Sequence, residues 1–295
     1  MIMIKFFTLI SFLLISPISF SDYQDKNYQA RLQEVMKARS LMDKKRERDK
    51  GKDLAQELAQ EILIIDTHLD TPIQLYMQQN RVGSYEDITK ASSLHFDFDR
   101  AVSGGLNVPF FVIFTPSSAE EKGTAFKMAQ DLIQILEDVM NKNPGKFRLV
   151  KSPDEISNDK DIMQVVYGME NGAPIESKLS NIKLFSDMGI NYITLTHSKS
   201  NHISDSSYDE NKNWGGLSPF GRKVVAEMNN QGVMIDISHV SDSAFYEVLK
   251  LTKTPVIASH SSLRHFVPGF ERNVSDDMLR ELAKNGGVIQ ICLDQ

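Results

Sequence analysis

Residues 62–72 read ILIIDTHLDTP, and this stretch decides the fold. Its apolar start, Ile62 to Ile65, has the β-branched content of a buried strand. The strand ends in Asp66, His68 and Asp70. Side chains alternate faces along a strand, so these three share one face while Thr67 and Leu69 take the other. Pro72 stops the ladder because it has no N–H to donate. An imidazole and a carboxylate two residues apart at a strand end can grip one divalent ion side by side. The competing reading is a strand end that carries turn-forming polar residues and nothing more.

The pattern of an apolar strand with a ligand type at its end recurs down the chain. Residues 162–170, IMQVVYGME, end in Glu170, and 191–197, NYITLTH, end in His197. Val233 to Ile237 runs into Ser238-His239, and Pro255 to Ala258 into Ser259-His260. Asn107 to Thr115 and Gly287 to Leu293 are further apolar strands, and Phe147 to Val150 is a short one. Helical spacing covers 119–140, about 176–188, 219–230, 242–251 and 276–284, with Ser241 and Ser275 as N-caps of the last two. A polar segment follows the first strand, and a long polar loop over 198–217 holds Asp205 and the single tryptophan, Trp214. Strands alternating with helices predict an α/β fold, a (β/α)8-type TIM barrel with helices outside a parallel sheet. In such a barrel all strand C-termini open on one face, so residues far apart in sequence converge there.

The candidate ligands are His68, Asp70, Glu170, His239 and His260. They offer only nitrogen and oxygen donors, a set that suits zinc, with manganese or cobalt as alternatives. Five donors exceed one tetrahedral site with an open position and match two ions sharing a carboxylate. Glu170 is the natural bridge, since each of its oxygens can face one ion. Such a pair can hold a bridging hydroxide and polarise a carbonyl, as amide hydrolysis at neutral pH requires. His197 has no evident metal partner and is read as a substrate contact. His95, His202 and His265 fall in loops and are read as surface or supporting residues. Asp66 and Asp236 either orient ligand histidines or satisfy backbone groups, and the spacing does not choose.

Composition narrows the class. The chain has 295 residues, a length that suits one barrel of about 250 residues. Its net charge of −6 and lack of a basic stripe disfavour nucleic acid. One cysteine, Cys292, excludes an internal disulfide and a cysteine-based zinc site. Residues 1–21 have the order of a secretory signal: Lys5, an apolar run from Phe6 to Phe20, then Ser19-Phe20-Ser21. The expected organisation is a signal peptide over 1–21, a charged helical segment over 22–60 and a barrel over 61–295. Secretion or a periplasmic address follows, with no stable membrane span after cleavage.

The segments IDTHLDTP, YGMENG, YITLTHSKSN, GLSPFGRKVV, MIDISHVSD, VIASHSS and ERNVSDD resemble, in order and spacing, the membrane (renal) dipeptidase family of zinc metallopeptidases. The resemblance runs from about residue 60 to the end. It implies a barrel of the metal-dependent hydrolase kind, two Zn2+ ions per chain, dipeptide substrates and a homodimer. By position, His68 and Asp70 match ligands of one zinc, Glu170 the bridge, and His239 and His260 ligands of the other. His197 matches the histidine that binds substrate and the reaction intermediate, and Arg272 the arginine that binds substrate. A guanidinium there can clamp a carboxylate through two hydrogen bonds.

Family members continue through a later strand that carries an aspartate thought to handle protons. The sequence given stops at Gln295. The expectation is therefore a barrel without its closing strand, with activity in question. Two alternatives stay open: a catalytically inactive metal-binding remnant of the same family, and another metal-dependent amidohydrolase on this barrel.

Overall fold

The computed structural model describes residues 33–40 and 52–293. The signal segment 1–21, and most of the leader over 22–60, lie outside the described residues. Two pieces of that leader are helical, α1 over 33–40 and α2 over Lys52–Glu61.

Six parallel pairings then build the sheet. Its strands are β1 (Ile64–Leu69), β2 (Leu106–Phe114), β4 (Met163–Glu170), β5 (Ile190–Thr194), β6 (Met234–Asp236), β7 (Ile257–Ser261) and β8 (Val288–Ile291), in that spatial order. A short β3 (Phe147–Leu149) pairs with β4 off this path. The helices are α3 (Thr71–Val82), α4 (Phe98–Ser103), α5 (Ser117–Glu121), α6 (Ala125–Lys142), α7 (Ser180–Asp187), α8 (Pro219–Gln231), α9 (Asp242–Leu251) and α10 (Asp276–Asn285). Among the described residues the sheet is a nearly closed barrel, open between β8 and β1. Near the opening, the Thr67 hydroxyl donates to the Ser259 carbonyl at 2.6 Å, tying β1 directly to β7.

Both faces of the central strands β2 and β4 are buried, as in a parallel sheet clad in helices. On β2, Val108, Phe110 and Val112 face the barrel interior with Val166, Tyr192 and Ile257. The alternate residues Phe111 and Ile113 face outward and pack with Leu132, Ile133 and Leu136 of α6 and Ile182 and Phe185 of α7. Inside the barrel the Tyr192 ring stacks on Phe110 at 5.8 Å. Gly168 of β4 makes room for it: a Cβ at that position would lie 2.2 Å from the tyrosine ring.

The structure departs from the sequence expectations at several elements, among them the unexpected α4 and the end of β5 at Thr194 rather than His197. The first strand runs Ile64–Leu69 rather than 62–65, and its pairing with β2 shifts register between Asp66 and Leu69. Strict alternation of faces therefore fails just where the ligand candidates begin. The polar segment after it holds α3, which starts at Asp70, has Pro72 in its first turn and stops at Gly83 in the left-handed conformation. Its glutamine-rich face and few buried residues hide the helical period. The single helix expected over 119–140 is two, α5 and α6, separated at Gly123, whose φ is +66°. The helix expected over 176–188 begins only at Ser180, after a 3-10 turn.

Phe185 is fully buried and packs against Phe126 with ring centroids 5.4 Å apart. Phe185→Ala is expected to cost about 3–5 kcal/mol in urea unfolding, the usual loss for an aromatic core truncation. A loss below about 1 kcal/mol would contradict the packing described here.

Candidate metal centre

Glu170 ends β4, and the chain must turn at once to keep its carboxylate at the barrel mouth. Asn171 does this at a φ of +73°, a conformation asparagine tolerates better than most residues. Its amide pins the turn by donating to the Thr115 carbonyl at 2.9 Å and accepting from the Asn201 amide at 2.9 Å. His239, after β6, also has a positive φ, +70°. A histidine held there is strained backbone of the kind that collects at functional sites.

The two Glu170 oxygens face different partners. Oε2 lies 3.5 Å from His68 Nε2. Oε1 lies 3.0 Å from His239 Nε2, 3.2 Å from His260 Nε2 and 3.5 Å from His197 Nε2. Asp70 Oδ1 is 3.7 Å from His68 Nε2. As the N-cap of α3, Asp70 makes no side-chain capping bond, and its carboxylate faces the site. All five expected ligands therefore meet at one mouth.

Hydrogen bonds behind the histidines set which nitrogen faces the site. The Tyr192 hydroxyl donates its one proton to the Thr67 carbonyl at 3.0 Å. Its 3.3 Å contact with His68 Nδ1 then has the histidine as donor, which turns Nε2 toward Glu170. The Ser259 hydroxyl donates to Asp236 Oδ2 at 2.6 Å, so its 2.8 Å contact with His260 Nδ1 also has the histidine as donor. Arg272 Nη2, which can only donate, lies 3.3 Å from His239 Nε2. The bare nitrogens of His239 and His260 thus face each other at 2.7 Å beside a carboxylate oxygen. Lone pairs crowded in this way are stabilised by a cation between them, and neutral imidazole with carboxylate is a donor set for a divalent metal.

For His239 and His260 the protonation states agree. Burial pushes both His239 and His260 down to about 3, so both imidazoles are neutral and able to ligate. Burial alone would raise Glu170, but His68 outweighs it and the carboxyl is held well below its usual range. Burial opposes the charged form of His68 as well, and Glu170 overrides it, so the His68 pKa is raised. Burial lowers His197 and raises Asp70.

Two groups of three residues have ligand atoms within 4.8 Å of one another: His68, Glu170 and His260, and Glu170, His197 and His239. His260 stands between two neighbours: its ring centroid is 3.6 Å from that of His68, and its Nε2 is 2.7 Å from His239 Nε2, the partner expected for it. His197, expected to have no metal partner, lies within reach of the second group and packs on Phe114 at 4.7 Å. Asp236 performs both roles left open for it. It accepts from the backbone of Ser238 and Ser259, and through the Ser259 hydroxyl it orients His260. Asp66 accepts from the His68 backbone N–H at 3.0 Å and is in neither group. His202 pairs with Glu120 at 2.7 Å and His95 contacts Gln74, and neither belongs to the two groups.

Sequence reasoning missed Tyr192, Gly168 and Ser259. Tyr192 reads as an ordinary strand residue, and nothing local shows that its hydroxyl lies under His68. Ser259 stands next to His260 and could have been flagged by that adjacency. Arg272 was anticipated: its Nη1 donates to Ser261 Oγ at 2.8 Å and its Nη2 to the His260 carbonyl, so it borders the site.

Comparison with known proteins fits this geometry. The family described as Membrane dipeptidase (Peptidase family M19) matches residues 52–295. Mouse Dipeptidase 3 is 29% identical over 243 residues, covering 80% of this chain and 48% of that protein. An uncharacterised dipeptidase of Schizosaccharomyces pombe is 31% identical over 261 residues, covering 81% and 62%. The chain spans about half the length of the Dipeptidase 3 relatives it matches. Among solved structures, the probable dipeptidase PvdM from Pseudomonas aeruginosa superposes with a TM-score of 0.72 at 25% identity, covering 81% of this chain and 62% of that one. A metallo peptidase from Rhodobacter sphaeroides, liganded with a phosphinate mimic of the dipeptide L-Ala-D-Ala, shares the fold with a TM-score of 0.69 at 22% identity, covering 78% and 73%.

Tyr192→Phe removes the hydroxyl that receives the His68 Nδ1 proton and keeps the ring. Zinc affinity, read by competition with a chromophoric chelator, is expected to fall about 10-fold or more, as is usual when the partner behind a ligand is lost. Unchanged affinity would show that the hydroxyl does not orient His68.

Proposed function

Because the chain belongs to the membrane dipeptidase family, Peptidase family M19, we propose that it is an exported zinc dipeptidase with two metal ions per chain. The observation that carries this reading is the division of Glu170, whose two oxygens face separate sets of histidines. His68, Asp70 and one Glu170 oxygen would hold one ion, and His239 and His260, with the other oxygen, the second. His197 stands beside the second set. A pair of divalent ions there supplies Lewis acidity, which polarises the scissile carbonyl and makes water acidic enough to attack at neutral pH.

The remaining work falls to the chain's own groups. Arg272, buried beside His239 and His260, receives the dipeptide's C-terminal carboxylate. That contact fixes the distance from the carboxylate to the attacked carbonyl and so selects dipeptides over longer chains. His197, kept neutral by burial, donates a hydrogen bond to the oxygen that gains charge as water adds to the carbonyl. The C–N bond then breaks, and the departing amine takes the proton that the attacking water gave up. Export is proposed on the sequence of residues 1–21, and a homodimer on the resemblance to the family. Among the described residues no helix is long and apolar enough to cross a membrane.

Purified protein is expected to hydrolyse dipeptides, to lose the activity with a chelator and to regain it with Zn2+. Activity that persists through chelation would sink the metallopeptidase reading. Glu170→Gln should lower kcat by roughly 100-fold or more, because one carboxylate serves both ligand sets. Arg272→Ala should instead raise KM by about 10- to 100-fold, the cost of a lost charged hydrogen-bond pair. A KM unmoved by Arg272→Ala would remove that residue from substrate binding.

A further inference from the structure

Arg264 lies outside the metal centre, on the loop between β7 and α10 that also carries Arg272. Its guanidinium makes two kinds of contact. Nη1 and Nη2 donate to the two oxygens of Asp242 at 2.7 and 2.6 Å, a bidentate pair with the first turn of α9. Nε donates to the Asn273 carbonyl at 2.9 Å and Nη2 to the Glu271 carbonyl at 3.0 Å. Those carbonyls belong to the residues on either side of Arg272. One buried-side guanidinium thus grips the backbone before and after Arg272 and fastens it to a helix of the barrel.

Further bonds close the loop around this grip. The Arg264 N–H donates to the Val274 carbonyl and the Val274 N–H to the Ser262 carbonyl, both at 2.9 Å. Glu271 Oε1 accepts from the Asp242 N–H at 2.9 Å, and its Oε2 pairs with Lys212 at 3.1 Å. No bond in this set touches a metal-ligating side chain. A long arginine side chain on a free loop would lose much conformational entropy on binding a carboxylate. Here its backbone is already fixed.

We propose that Arg264, through Asp242, is a positioning residue that aims Arg272 at the carboxylate of the substrate. The proposal rests on the reading of Arg272 as the carboxylate anchor. Its signature is selective. Freeing the loop weakens ligands that have a terminal carboxylate and spares ligands that lack one, because the metal centre is untouched. Lysine cannot replace Arg264, since a single ammonium cannot span Asp242 and two carbonyls.

The test compares wild type, Arg264→Lys and Asp242→Asn, each loaded with zinc. Two measurements are made: kcat and KM for an alanyl dipeptide, and calorimetric Kd for a phosphinate dipeptide mimic and its C-terminal amide. The expected result is a KM raised about 10-fold with kcat within about twofold, from the loss of charge-assisted bonds. The Kd of the free-acid mimic should weaken to the same degree, with the amide, the zinc content and the urea midpoint close to wild type. Asp242→Asn keeps the shape of the partner, so it reports even if Arg264→Lys folds poorly. Equal weakening of acid and amide, or no weakening of either, in the presence of an active wild type overturns this proposal alone. A wild type that neither hydrolyses the dipeptide nor binds the mimic overturns the dipeptidase reading, and this proposal with it.

Discussion

The site depends on one buried negative charge. Glu170 is almost fully enclosed at the end of β4, where an unpaired carboxylate would cost several kcal/mol or take up a proton. Against burial, which would raise its pKa, it stays ionised chiefly because His68 approaches one oxygen and favours the charge. At the other oxygen the neutral imidazoles of His239 and His260 crowd the carboxylate and each other. A cation relieves that crowding.

The barrel supplies this geometry through a layer beneath the ligands. Gly168 leaves the space that the Tyr192 ring fills, and Tyr192 places its hydroxyl under His68. Asp236 gathers the hydroxyls of Thr194 and Ser259 and passes orientation to His260. His68 is therefore aimed from across the interior, and His260 by Ser259 of its own strand, which Asp236 of the neighbouring strand holds. Arg272 is aimed in a comparable way by the Arg264 grip, from outside the barrel wall. The chemistry sits on loops and strand ends, but rigid elements hold them.

Much of this was legible before any coordinates. The recurrence of an apolar run ending in His or Glu marked β1, β4, β6 and β7 and the ligands they carry, because the strand period and the barrel's common C-terminal face are local and topological rules. The expectation that Glu170 faces two sets of donors followed from counting them. The strand-helix alternation gave the barrel, while α3 was hidden by a polar, glutamine-rich sequence with little apolar periodicity. The split between α5 and α6 was hidden by a single glycine that a helical pattern can also tolerate.

By itself, then, the sequence determined the fold class, the five ligand candidates and Arg272, since those depend on periodicity, residue chemistry and family resemblance. Only the tertiary structure decided how the ligands group: that His260 stands beside His68, and that His197 comes within reach of the second set. It alone showed Tyr192 and Ser259 behind the histidines and Arg264 around Arg272. The physical reason is that these are contacts between distant segments, set by the curvature and register of the closing sheet, and no periodicity in the chain encodes the distance across a barrel.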